Sequence, residues 1–287
     1  MSALIVVCLF FHYAAAMMLF GAALFRLTIP DEGIDALLLR VFRTLLAVAV
    51  ISAVAMLMAA SGAMGGGWAY AVDVQTITDV FTGTSFGKVW QWHLGLAVLM
   101  GVAIRFSQPA RPWIASMAML HLASLALVGH AAMVEGAMGG LRRLNQAVHL
   151  LSAGAWLGGL IPLALVLWQM RNRPVSASPL LQRFSTFGMI AVVLVLVTGS
   201  INSIALVGTF DGLMASSYGH ALLIKLALVA VMICFALFNR FYLLRRLAGN
   251  STRAAFHLRL SVILEVVVGV AVILLASILG TLPPPIG

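Results

Sequence analysis

The stretch GHALLIKLALVAVMICFALFNRFYL, residues 219–243, decides the fold. Lys225 is its one charge before Arg240 at the far end. Wound as a helix it is about 37 Å long, more than the roughly 30 Å of a bilayer's hydrocarbon core. Apolar runs of similar reach fall at 4–25, 41–64, 88–106, 113–133, 144–168, 186–208 and 260–282. The expectation is an all-α polytopic membrane bundle of about eight transmembrane helices. Composition agrees: 63% of residues are hydrophobic, 9% are charged and the mean hydropathy is +1.10, so lipid is the solvent for this fold. Helices and short loops use up the 287 residues as a single transmembrane domain, 1–287, with no room for a soluble one. The N-terminal run lacks a basic leader region and exceeds a signal-peptide core, so it reads as a retained first helix.

Proline, glycine and charge mark the connections at Pro30-Asp31-Glu32-Gly33, Gly65-Gly66-Gly67, Gln108-Pro109-Ala110-Arg111-Pro112, Arg171-Asn172-Arg173-Pro174 and the basic run Arg240 to Arg259. Sorting the 17 Lys and Arg by membrane side puts 13 beside loops 1–2, 3–4, 5–6 and 7–8. Only Lys88, Arg142, Arg143 and Lys225 fall on the other side. By the positive-inside rule the first set is cytoplasmic and both termini are periplasmic, in a bacterial inner membrane. The net charge of +9 is thus a topology signal and implies no nucleic-acid partner; the partner is the lipid bilayer. Cys8 and Cys234 lie in different apolar runs and form neither a disulfide framework nor a zinc motif.

A faint duplication relates 1–133 to 144–287. His12 followed by Gly21 matches His149 followed by Gly158, and Leu37-Leu38-Leu39-Arg40 matches Leu180-Leu181-Gln182-Arg183. Ser85-Phe86-Gly87, His93-Leu94 and Met100 match Ser217-Tyr218-Gly219, Lys225-Leu226 and Met232. Four helices per unit make the two repeats parallel, related by an axis along the membrane normal.

Ionisable residues inside spans are costly, which makes the seven histidines the most informative feature. His12, His93, His130, His149 and His220 fall in the outer half, His121 near mid-depth, and His257 on the cytoplasmic side. Imidazoles at one depth on different helices can converge on an ion. His130 and His149 flank the short loop between helices 4 and 5 and form the best candidate pair, with His93 and His12 as further ligands. Met133 is expected three residues after His130 on the same helical face; Cys8, Met64 and Met138 are other soft donors nearby. Nitrogen with added thioether or thiolate fits copper best, and no oxygen cluster for Mg²⁺ or Ca²⁺ is present.

Three more polar positions are candidates for a pathway or gate together with His121. Lys225 can snorkel outward, Glu265 can pair with Arg240, and Asn202 can bond neighbouring helices. Trp156-Leu157-Gly158-Gly159 permits close helix approach, and Trp68, Trp90, Trp92 and Trp113 fit interfacial belts. There is no P-loop, no Gly-x-Ser-x-Gly, no H-E-x-x-H and no carboxylate pair in a span, so the expectation is that the chain is not an enzyme.

Gly129-His130-Ala131, His149-Leu150-Leu151, Ala155-Trp156-Leu157-Gly158-Gly159-Leu160, Arg183-Phe184-Ser185, Thr198-Gly199 with Asn202, Tyr218-Gly219 with Lys225, Asn239-Arg240, and Glu265 ahead of Pro283-Pro284 resemble the copper resistance protein D (CopD) family in order and spacing. The resemblance covers mostly 129–285. It implies an inner-membrane protein of copper homeostasis that moves copper from periplasm toward cytoplasm. It also implies a small periplasmic copper-binding partner of the CopC type, expected here as a separate protein. Two rivals stand beside this. A haem b-binding, cytochrome b-like redox protein would use two of His93, His130 and His149 as axial ligands. A sensor or assembly factor would bind copper without moving it.

Overall fold

The computed structural model describes residues 2–28, 32–106, 111–169, 178–247 and 252–285, and among these there is no strand. The long helices are α1 (Ser2–Thr28), α2 (Glu32–Gly65), α4 (Ser85–Phe106), α5 (Arg111–Ser124), α6 (Gly136–Gln169), α7 (Ser178–Val207), α9 (Ser217–Phe238) and α11 (Thr252–Leu279). Three short ones join them: α3 (Val74–Gly83), α8 (Phe210–Ala215) and α10 (Leu244–Leu247). Each apolar run of the sequence overlaps one long helix, although the run 113–133 extends beyond its helix. Among the described residues six segments are long and apolar enough to cross a bilayer: Ala3–Leu27, Leu37–Gly65, Gly136–Gln169, Leu181–Val207, Ser217–Leu247 and Arg253–Leu279. Pro112–Leu127 is a shorter apolar helix, and α4 runs for 22 residues. The protein is an all-α, multi-pass membrane bundle.

α1 and α6 form its centre. α1 packs on α2, α5, α6 and α11, while α6 packs on α1, α5, α7 and α11. Their contact is made through glycine because lipid tails leave helix association to close packing. A Cβ built on Gly21 would stand 2.3 Å from the Gly158 carbonyl carbon, and one on Gly158 would stand 2.1 Å from Met17 O. The two glycines matched by the duplication therefore touch each other. α9, by contrast, turns Ile224, Leu226 and Val231 outward, as a lipid-facing helix must.

Several local features depart from the sequence reading. The fourth helix, expected to reach residue 133, ends at Ser124 and tightens into a 3₁₀ turn at Leu125–Leu127. Gly129 then takes φ 77°, in the left-handed region, and turns the chain into a second 3₁₀ turn at His130–Ala132. α3 was not foreseen. Asp73 caps it by accepting from Thr76 N at 2.8 Å, and α3 packs on α2 and α4. The helix after α9 continues through a π turn, Asn239–Leu243. Trp90 is no belt residue: it is fully buried and donates from Nε1 to Ala53 O at 2.9 Å. Arg171, Arg173 and most of the Gln108–Pro112 and Pro30–Gly33 connections lie outside the described residues.

Candidate metal centre

His12 on α1, His93 on α4 and His121 on α5 meet inside the N-terminal half, all three at 0% exposure. One ring nitrogen from each lies within 4.8 Å of those of the other two. His93 and His121 stack with centroids 3.7 Å apart, and His12 sits 4.9 Å and 5.9 Å from them. Trp90 closes one side, stacked on His93 at 4.8 Å. Counted along α1 and α4, the group lies about 12–15 Å below the first residues of those helices.

The hydrogen bonds around the group fix its chemistry. Ser52 Oγ donates to the helix carbonyl of Val48 at 2.7 Å, so it accepts from His12 Nδ1 at 3.0 Å; Ala49 O accepts from the same nitrogen at 3.2 Å. Ser124 Oγ donates to His121 O at 2.7 Å and accepts from His93 Nδ1 at 2.7 Å. His121 Nδ1 donates to His93 O at 3.1 Å. With each Nδ1 donating outward, every Nε2 presents a lone pair; Ser124 Oγ–H can instead donate to His93 Nδ1, which puts the His93 proton on Nε2 toward His12. Nε2 of His12 faces Nε2 of His93 at 2.9 Å, and Nε2 of His121 is buried without a partner among the described residues. In the first arrangement three buried acceptors lie together with no donor between them and are electrostatically incomplete. A metal cation completes them, since ligating histidines hold their other ring N–H in this way.

The dimensions fit. Two imidazole nitrogens about 2.0–2.1 Å from one ion stand about 2.8–3.6 Å apart for angles between 90° and 120°. The donor set is all nitrogen, which suits copper, zinc, iron or nickel. The expected sulfur donors are absent from it. Met133 follows the 3₁₀ turn, 73% exposed, and not a helical face shared with His130; Cys8 is buried one turn before His12 but lies outside the group.

His12 and His93 were both sequence candidates, whereas His121 was placed too deep. The cause is the early end of α5, which brings His121 within one turn of that helix's C-terminal end. His130 and His149 do not join the group. His130 is half-buried with both ring nitrogens unpartnered among the described residues, its edge toward Tyr218 at 6.4 Å. His149 Nδ1 donates to Thr198 Oγ1 at 3.0 Å, with Lys225 within electrostatic reach. Asn202 joins α7 to α6, accepting from Asn145 Nδ2 at 2.9 Å and donating to Gln146 Oε1 at 2.8 Å. Glu265 bonds Asn239 rather than Arg240. The supporting Ser52 and Ser124 were missed, because a serine in an apolar helix gives no sequence signal beyond being small.

Comparison with known proteins identifies the setting of this group. Residues 1–140 match the family model "Copper resistance protein D-like, N-terminal domain", and residues 178–279 match "Copper resistance protein D". The chain is 35% identical to inner membrane protein YebZ of Escherichia coli (strain K12), over 96% of each chain. It is 33% identical to copper resistance protein D of Pseudomonas syringae pv. tomato, over 95% of this chain and 94% of that one. The chain belongs to the copper resistance protein D family. A third relative, copper transport protein CutJ of Bacillus subtilis (strain 168), is 30% identical over 77% of this chain and 41% of its own. No solved structure matches.

For a member of this family, the metal the family implies and the nitrogen cluster are consistent. The haem alternative finds no support. Two axial imidazoles must clear a porphyrin between them, and the rings of His12, His93 and His121 are too closely packed to admit one. His130 and His149, the other axial candidates, lie outside this group.

Proposed function

We propose that this protein takes copper from the periplasmic side at the His12–His93–His121 centre and passes it toward the cytoplasm. The convergence of three buried imidazoles from three helices, with ring nitrogens within 4.8 Å of one another, carries this assignment; the names of the relatives, copper resistance protein D and copper transport protein CutJ, supply the metal. The chain acts as a carrier and not an enzyme. It sits in the bacterial inner membrane with eight crossings and both termini periplasmic, on the 13-to-4 division of basic residues. That orientation puts the histidine centre in the outer half, below the cap made by Trp68–Ala71 and α3. A separate periplasmic copper-binding protein of the CopC type is the donor.

Copper content of purified protein and copper accumulation in cells test this together. Replacing His12, His93 or His121 by alanine leaves a good helix former and removes one of three donors, so bound copper and accumulation both fall at least tenfold. His257→Ala, at an exposed residue of the basic end, stays at wild-type values. His149→Ala and His130→Ala retain bound copper if the three-histidine group is the site. Wild-type copper in all three single variants of the group would overturn the proposal.

A further inference from the structure

A second polar site lies at the other end of the bundle, among residues the copper centre does not use. Glu265, on α11, is 2% exposed. Its carboxylate accepts from Asn239 Nδ2 at 2.7 Å, and Asn239 Oδ1 is itself buried with no partner among the described residues. Asn239 opens the π turn Asn239–Leu243, a helix irregularity that often marks functional positions. A cavity of about 60 Å³ adjoins these groups; its walls are mostly apolar, and Ser185, Asn239, Arg240 and Glu265 form its polar side. It has room for a few waters against that polar side. Along α9 the site lies about 33 Å from Ser217, and along α11 about 20 Å from Thr252.

The charges around it are few. α6 and α7 bring no charged side chain to the cavity, and the π turn brings Arg240, whose Nη1 donates to Ser185 Oγ at 3.0 Å. Arg245 and Arg246 of α10 are exposed, as are Arg253 and His257 of α11, and Arg259 Nε donates to Leu167 O at 2.9 Å. α1 contributes nothing to the cavity. A buried carboxyl in a membrane bundle whose bonded partner is a neutral amide needs a small cation of its own. The atoms facing that cation are hard oxygens, of Glu265, Asn239 and Ser185, a poor set for copper, which prefers nitrogen and sulfur. They suit a proton.

We propose that Glu265 is an exchangeable proton site, reached through this cavity from the arginine-rich end, and that Arg240 is the counter-charge of the carboxylate once the proton has left. The step balances simply: the O–H bond of the carboxylic acid breaks, the proton passes to water in the cavity, and the remaining negative charge faces the guanidinium. The site stands independently of the copper centre.

Carbodiimide labelling decides the matter, because dicyclohexylcarbodiimide enters apolar regions and reacts with the protonated carboxyl. Full-length protein is labelled across a pH series, and the peptide holding Glu265 is followed by mass spectrometry. The expected result is labelling at Glu265 that falls as pH rises and is absent in Glu265→Gln. Arg240→Ala removes the counter-charge and favours the neutral acid, so its labelling persists to higher pH. Copper content measured in parallel stays at wild-type level in Glu265→Gln, which separates this site from the histidine centre. The carboxylic C=O infrared band that is present in the wild type, missing in Glu265→Gln and lost at high pH gives the same answer. No label at Glu265 at any pH, or label and infrared band that ignore pH, would overturn the proposal; an unchanged profile in Arg240→Ala would overturn the part given to Arg240.

Discussion

Ser124→Ala is the sharpest perturbation of the copper centre that leaves every ligand in place. The hydroxyl accepts from His93 Nδ1 at 2.7 Å and donates to His121 O at 2.7 Å, so one oxygen orients two of the three histidines. Without it His93 is free to move its proton to Nε2, which turns a donor to copper into a blocked nitrogen. Loss of such a supporting bond costs about 10–100-fold in metal affinity, or about 1.4–2.7 kcal/mol. Ser52→Ala serves as the internal comparison. His12 Nδ1 keeps Ala49 O at 3.2 Å when Ser52 Oγ is gone, so its tautomer is still held and the loss stays below about fivefold. Both variants are measured by competition with a chromophoric copper chelator on purified protein, with thermal unfolding as a check on the fold. Wild-type affinity in Ser124→Ala, or a larger loss in Ser52→Ala than in Ser124→Ala, would refute the tautomer argument.

Other consequences are independent of it. Gly158→Ala drives a methyl into Met17 O, an overpacking of about 1–3 kcal/mol or more, and lowers the unfolding temperature in detergent, whereas Gly188→Ala, which meets nothing within 4 Å, leaves it unchanged. Copper binding quenches the fluorescence of Trp90, stacked on His93 at 4.8 Å, and Trp90→Phe abolishes most of that quenching in a titration. Alkaline phosphatase fused after Gly287 is active and fused after Arg246 inactive; the reverse pattern would overturn the orientation.

The bundle was legible because apolar runs of membrane length have few alternatives, and each run overlaps a helix. The site was half legible. His12 and His93 stand out as polar residues in apolar helices, but depth was judged by counting from helix ends, and that fails where an end is misplaced. α5 stops at Ser124 and the chain turns at Gly129, so His121 rises into the outer layer while His130 and Met133 leave the helix altogether. A glycine before a histidine was the available sign of that turn. Pairings across the bundle were not legible: the sequence offered Arg240 as the partner of Glu265, whereas Asn239, at the start of the π turn, bonds it. The serine hydroxyls that set the tautomers became visible only once α2 and α5 were placed beside α1 and α4.

X-ray absorption of the copper-loaded protein tests the central claim most directly, because it reads the atoms bound to the metal. Three imidazoles predict a first shell of nitrogen alone at about 2.0 Å, with the outer-shell scattering of histidine rings, and its loss in His93→Ala. A sulfur shell at about 2.3 Å, or a histidine signal that survives in His12→Ala, His93→Ala and His121→Ala alike, would place copper elsewhere in the protein.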